Sequence, residues 1–263
     1  MDLGLKDKVA LVAASSKGIG RAIAEELAAA GCSLVMCARG EPALKQAAEE
    51  IKESSGAKVL PVVADVSRRE DVARLLEAAL REFGRVDILV TNSGGPPSGN
   101  FESFTPDMWE SAARLLLTSA VELARAVVPG MKQRRWGRIL NVTSIAAKQP
   151  VEGLMLSNSL RAAVHGFART LANELAPFGI TVNNVLPGYT RTERVESLAR
   201  QASEKRGIPM DESYKAWERE IPMGRLAQPR EIAAVAAFLV SERASYVTGS
   251  SIAVDGGWIR SLL

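Results

Sequence analysis

The stretch Val9-Ala10-Leu11-Val12-Ala13-Ala14-Ser15-Ser16-Lys17-Gly18-Ile19-Gly20 decides the fold. Five apolar residues run into small ones, and two glycines then open a segment of helical periodicity. A short apolar run without alternation reads as a strand covered on both faces. A glycine turn feeding a helix N-terminus presents backbone N–H groups and the positive end of the helix dipole to a diphosphate. Gly18 and Gly20 allow a ligand and a packed strand to come close. Ser15, Lys17 and Ile19 belong to the same candidate cofactor turn. Alone the signal is weak, because Ala14 stands where a dinucleotide fingerprint places its first glycine, and a β-α turn with no ligand looks alike.

Outward from this turn, apolar runs alternate with amphipathic helical patterns to the end of the chain. Val9–Ala13, Ser33–Ala38, Lys58–Ala64, Val86–Thr91, Arg138–Thr143, Ile180–Leu186 and Ser250–Val254 read as strands. Helices are expected near Gly18–Ala30, Glu41–Ser54, Arg69–Phe83, Pro106–Arg134, Gly153–Ala176 and Pro229–Val240. Gly31, Gly56, Gly84, Gly137 and Gly179 fall where left-handed C-terminal caps need glycine. The alternation predicts a Rossmann-type, doubly wound α/β fold: one parallel sheet of about seven strands, helices on both faces, a single domain over residues 1–263. Residues 190–224 depart from it. They are polar, with two helical patterns broken by Gly207-Ile208-Pro209, and read as a lid over a site at the strand ends, or as a solvated hairpin with no gating role.

Composition bounds the partners. The 263 residues are 47% hydrophobic, enough for a sizeable core, and the formal net charge is only +3. That balance gives no reason to invoke nucleic acid or a membrane surface. His165 is the one histidine, so no multi-histidine metal site is expected. Cys32 and Cys37 are spaced to point to opposite faces of a strand and read as core residues. With no signal peptide and no apolar run of membrane-spanning length, a cytoplasmic protein is expected.

The second strand ends at Ala38-Arg39, where an acidic side chain would take the ribose 2′-hydroxyl of NAD. Ala38 cannot do so. Arg39, with Lys17 in the turn, suits a 2′-phosphate, and the pair favours NADP(H) over NAD(H). Asp65, followed by Val66, is placed to accept from an adenine amino group, or to cap the next helix with Ser67.

With these pieces in order, the chain resembles the short-chain dehydrogenases/reductases, in particular those like β-ketoacyl-carrier-protein reductases. The resemblance runs from about Leu5 to Trp258. It is carried by Gly18-Ile19-Gly20, Asp65-Val66, Thr91-Asn92-Ser93-Gly94, Ser144, Asn183, Pro187-Gly188-Tyr189-Thr190-Arg191-Thr192 and Val254-Asp255-Gly256-Gly257. It implies hydride transfer between a nicotinamide and a carbonyl/alcohol pair, with a small carbonyl or acyl substrate. It also implies that Asn92 and Gly94 line the cofactor, that Ile180 to Gly188, including Pro187, frame the nicotinamide, and that Thr192 contacts it. Relatives form tetramers through two long helices, so a homotetramer is expected; Pro106–Arg134 and Gly153–Ala176 are correspondingly rich in Ala, Leu and Val.

The expected proton relay is altered. Laid on this chain, the family's Ser falls on Ser144, its Tyr on Ser157, its Lys on Arg161 and its relay Asn on Leu116. Ser157 and Arg161 stand one helical turn apart on one face. A phenol, with a pKa of about 10, can be tuned towards neutrality. An aliphatic hydroxyl is a far weaker acid and shorter in reach, and lost acid–base help costs roughly 10²–10⁴-fold. Arg161 can donate to ribose hydroxyls but gives up no proton. Tyr189, at a strand end, and Tyr214, in the 190–224 segment, are candidate replacement acids or substrate walls. Three functions stay open: an NADP(H)-dependent oxidoreductase with Ser144, Ser157 and Arg161 as an atypical centre; a non-catalytic or regulatory nucleotide-binding protein; and different chemistry with Arg161 binding an anionic substrate.

Overall fold

The computed structural model describes residues 2–262. Seven strands form one parallel sheet in the order β3-β2-β1-β4-β5-β6-β7: β1 Val9–Ala13, β2 Ser33–Ala38, β3 Val59–Val63, β4 Ile88–Thr91, β5 Gly137–Val142, β6 Ile180–Pro187 and β7 Ser251–Val254. The order reverses direction between β1 and β4, the place where such sheets open a crevice at their carboxyl ends.

Both faces are covered, which is why the strands read as unbroken apolar runs. Ala10, Val12, Leu34 and Met36 pack on one side with α1 (Gly18–Ala29), α2 (Glu41–Ser55) and α9 (Pro229–Leu239). Val9, Leu11, Ala13 and Val35 pack on the other with α3 (Arg69–Phe83), α5 (Ser119–Arg134) and α6 (Met155–Leu175). Cys32 belongs to the first layer and Cys37 to the second; both are free thiols that burial pushes up to about 12. Among the described residues no helix is long and apolar enough to cross a membrane.

Four sequence expectations need correcting. The strand expected from Val86 starts at Ile88, and the helix expected from Gly153 starts at Met155, because Gly153 takes a left-handed φ of 72°. Gly137 is no cap: Arg135 holds the left-handed cap of α5, at φ 52°. Gly137 lies in β5, where a Cβ would sit 2.5 Å from Met131 Sδ. The stretch Pro106–Arg134 is not one regular helix. A π-turn over Arg114–Thr118 separates α4 (Pro106–Ala113) from α5, and such turns gather near functional sites.

One buried polar chain crosses the sheet. Thr91 Oγ1 donates to Asn141 Oδ1 (2.7 Å), Asn141 Nδ2 to Asn184 Oδ1 (2.9 Å) and Asn184 Nδ2 to Ser251 Oγ (2.9 Å). Its members are register partners on β4, β5, β6 and β7.

The stretch 190–224 does form two helices, α7 (Glu193–Arg206) and α8 (Met210–Glu220), broken at Gly207 with φ 64°. Several of its contacts reach back to the elements around the strand ends. Lys17 pairs with Glu193, Arg194 Nη2 donates to Pro96 O (2.7 Å), and Ser98 Oγ donates to Gln201 Oε1 (2.6 Å).

Candidate active site

The carboxyl ends of β1, β2, β4, β5 and β6 open into a cavity of about 890 Å³ roofed by α7. At one end lies the turn before α1. The N-cap position, Lys17, gives α1 no side-chain cap, and its first turn carries no acidic residue. The turn's free N–H groups and the helix dipole therefore face the cavity with no acidic residue in the helix's own first turn. Gly20 could be nothing else, since a Cβ there would meet Ala14 O at 2.3 Å and Asn92 Nδ2 at 2.7 Å. Ala14 holds the left-handed conformation, φ 48°, that the fingerprint usually gives to glycine. Asn92 Nδ2 donates to Ala14 O (3.4 Å) and steadies the turn.

Lys17, Gly18, Ile19, Arg39, Asp65, Val66, Asn92, Gly94, Pro187, Gly188 and Thr192 all line this cavity. Ser15 does not. It is fully buried, and its hydroxyl donates to Val12 O (2.9 Å), fastening the turn to the sheet. Lys17 is engaged with Glu193, whereas Arg39 is exposed and makes no ion pair among the described residues. Asp65 does not cap α3, whose N-cap is Arg68; its Oδ1 accepts from Ser67 N (3.0 Å) and Ser67 Oγ (2.7 Å) and shapes the turn before the helix. Five cationic side chains line the cavity (Lys17, Arg21, Arg39, Arg161, Arg194) against two acidic ones (Asp65, Glu193). An uncapped helix N-terminus inside a net positive cavity fits a dinucleotide phosphate.

At the other end stand Ser144, Ser157 and Arg161. Ser144 follows β5, and its Oγ accepts from Ala146 N (3.1 Å). Ser157, on the first turns of α6, is buried, and its Oγ accepts from Arg161 Nε (3.2 Å). Each serine has a hydrogen-bond acceptance satisfied, and neither hydroxyl hydrogen has a partner among the described residues, so both are donors open to the cavity they line. Arg161 Nη1 donates to Val142 O (3.3 Å) and Thr143 O (2.9 Å), which locks the guanidinium against the end of β5. Burial, then Arg194, brings Arg161 down to about 10, so it stays a cation at neutral pH.

Leu116 lies in the π-turn, 5% exposed. The space between it, Asn141, Thr143 and Arg161 is about 10 Å³, room for no more than one water and for no chain of them. The two aromatic hydroxyls named from the sequence are held in an aromatic cluster. Tyr189 stacks on Trp217 (4.7 Å between centroids) and packs edge-on against Trp258, and burial pushes it up to about 12. Tyr214 meets Trp217 edge-on and is likewise raised. They form an aromatic cluster with Trp217 and Trp258 against which α8 packs. His165 Nε2 meets Thr143 Oγ1 (2.9 Å), and burial lowers it to about 4, leaving it neutral. Among the described residues no group of His, Cys, Asp and Glu could hold a metal ion.

Sequence reasoning missed Arg194. It lies between Arg191, exposed and paired with Glu218, and Arg200, exposed and paired with Glu196; nothing in the sequence marks it as the one turned inward. The sequence offered Tyr189 and Tyr214 as wall aromatics, but that Trp217 and Trp258 join them emerges only through the fold.

Comparison with known proteins agrees with this geometry. A family model described as enoyl-(acyl carrier protein) reductase matches residues 13–259. The 3-oxoacyl-(acyl-carrier-protein) reductase FabG of Vibrio cholerae is 36% identical over 255 residues, covering 97% of this chain and 98% of the relative. The D-beta-hydroxybutyrate dehydrogenase of Cupriavidus necator is 36% identical over 262 residues, covering 97% and 99%. Among solved structures, L-sorbose reductase from Gluconobacter frateurii, complexed with NADPH and L-sorbose, superposes with a TM-score of 0.95 at 38% identity, covering 100% of both chains.

Proposed function

The chain belongs to the short-chain dehydrogenase/reductase family, and from that premise we propose that it is an NADP(H)-dependent oxidoreductase interconverting a carbonyl and an alcohol, 3-oxoacyl-reductase-like, through an atypical centre of Ser144, Ser157 and Arg161. The observation that carries this reading is the pair of serine hydroxyls in a cationic cavity, each with its acceptor side occupied and its hydrogen free. The NADPH bound to L-sorbose reductase, which shares this fold over its full length, supports the choice of cofactor.

A bound nicotinamide supplies the hydride. The turn before α1 would hold the diphosphate, and Arg39 would meet the 2′-phosphate, with Lys17 joining if it leaves Glu193. Ser144 and Ser157 donate to the substrate oxygen. As the carbonyl carbon is reduced, its π pair moves to that oxygen, where two fixed O–H donors hold the negative charge. Neither serine is acidic enough to surrender a proton efficiently, so the proton comes from solvent water at the cavity mouth. Arg161 is a positioning residue here: its Nε–H fixes the Ser157 oxygen, and its charge lowers the energy of the developing anion. Helices α7 and α8 act as the lid, seated on Tyr189, Trp217 and Trp258.

Titration with NADPH and NADH, followed by nicotinamide fluorescence, tests the cofactor. NADPH is expected to bind more tightly, and Arg39→Asp to remove the preference; failure of both cofactors to bind sinks the reading. The reading includes a cytoplasmic homotetramer, and sedimentation showing only monomer would refute the assembly. Two observations favour a second reading, a non-catalytic nucleotide-binding protein: Leu116 closes the water path and no phenol stands in for the acid. Tight NADPH binding without turnover over a panel of ketones, acyl thioesters and oxo acids would establish it.

A further inference from the structure

Arg161 and Arg194 line the same cavity, and neither has a carboxylate partner among the described residues. Both are partly buried, and both are pinned by main-chain oxygens: Arg161 by Val142 and Thr143, Arg194 by Pro96. Arg194 Nε lies beside Gly95, where a Cβ would approach it to 2.7 Å. One cation thus sits on the floor of the cavity, next to Ser157, and the other hangs from the lid. Arg161 Nη2 makes no hydrogen bond among the described residues. Two partly desolvated guanidiniums without an acid are unfavourable unless an anion comes between them.

The cofactor diphosphate is already provided for by the uncapped end of α1, where Gly18 faces Thr192. The two arginines lie instead towards Ser157 and the 94–99 loop. We propose that Arg161 and Arg194 form the two sides of an anion site at the substrate end of the cavity, and that its ligand is the carboxylate of an oxo-acid substrate. This rests on the reading of the cavity as a nicotinamide and substrate site, and it narrows the substrate to one carrying free charge. A neutral ketone or thioester would leave both cations uncompensated. A carboxylate takes planar, paired donors from guanidinium and sets its carbonyl at a fixed distance from Ser144 and Ser157.

The probes are straight-chain oxo acids of increasing length, each compared with its methyl ester, titrated calorimetrically into protein saturated with NADP⁺. At least one acid is expected to bind about tenfold or more tightly than its ester. Arg194→Gln should weaken that acid about ten- to hundredfold, the range for losing a charged hydrogen bond, with ester affinity unchanged and NADP⁺ affinity lowered far less than the acid's. Arg194→Lys should recover part of the loss, which a merely structural role would not give. Arg161→Gln should act in the same direction, and near-UV circular dichroism checks that it folds; the lid variants alone suffice if it does not. The proposal is overturned if no acid is preferred over its ester. It is also overturned if Arg194→Gln lowers NADP⁺ affinity while leaving the acid-to-ester ratio intact, since the cations then serve the cofactor. If NADP⁺ itself fails to bind, the oxidoreductase reading falls separately, and the same titrations on the free protein still decide the anion site.

Discussion

Replacing Ser157 by Ala removes one of two hydroxyl donors, together with the oxygen that accepts from Arg161 Nε. Ser157 Oγ accepts from Arg161 Nε at 3.2 Å and is buried, so the rotor is held and its hydrogen is directed by what the cavity contains. In the ground state this hydrogen meets a neutral carbonyl, a bond worth about 1 kcal/mol net. In the transition state it meets a nearly full negative charge. Loss of one such donor costs roughly 2.7–4 kcal/mol, about 10²–10³ in kcat. Most of the effect is therefore expected in kcat, with KM changed only a few-fold. The assay is NADPH oxidation at saturating cofactor and substrate, with single-turnover measurements to separate chemistry from product release. Ser157→Thr, which keeps the hydroxyl, should retain most of the rate. Ser157→Ala within about threefold of the parent, alongside a large loss in Ser144→Ala, would refute the two-donor mechanism and leave Ser157 as packing beneath Arg161.

Three further outcomes follow from the geometry. His165 is lowered to about 4 in the fold against about 6.5 unfolded. The unfolded chain then binds the extra proton below about 6.5, so stability falls as pH drops from 6.5 to 4, by at most about 3 kcal/mol after allowance for partial exposure. Denaturant melts of His165→Asn should lose that share of the slope; an unchanged slope refutes it. Gly20→Ala drives a Cβ to 2.3 Å from Ala14 O, and overpacking on that scale costs about 2–3 kcal/mol, read as a melting drop of about 5 °C or more with weakened NADPH binding. Ala14→Gly should do the opposite: relief of a left-handed alanine, about 1–2 kcal/mol, exceeds the entropy of an added glycine, about 0.4–1 kcal/mol. A lower melting temperature would contradict it.

The fold could be read from the chain because both of its signals are local. Runs such as Val9–Ala13 need apolar neighbours on two faces whatever those neighbours are, and Arg69–Phe83 carries its own helical period and glycine stop. The cofactor turn could be read for the same reason, since Gly18 and Gly20 sit where a strand meets a helix. The π-turn could not: an extra residue per turn leaves the apolar spacing of Leu115, Leu116 and Leu117 unchanged to the eye. Ser15 shows the converse error. It lies inside a binding motif, but β1 ends in a way that turns its hydroxyl back onto Val12. Lys17 and Arg39 look equivalent as cations in sequence, and only the fold brings Glu193 over one of them. Arg194 and the packing of Trp217 and Trp258 against Tyr189 depend on how α7 and α8 dock, a long-range arrangement that no short window encodes.

The polar chain from Thr91 to Ser251 bears on how the chain finds its frame during folding. In β5 and β6 every neighbour of Asn141 and Asn184 two positions along is aliphatic or neutral: Ile139, Val182 and Leu186 face the same way. Sliding β6 by two residues would keep inside and outside unchanged, so hydrophobic burial alone barely opposes it. Asn141 would then lie against Val182 or Leu186, with its amide buried and mute. Each such orphan costs about 1–3 kcal/mol, and the error repeats on the two adjoining strands. Four modest side chains thereby act as a ruler that rejects a misthreaded sheet whose apolar content is as good as the native one.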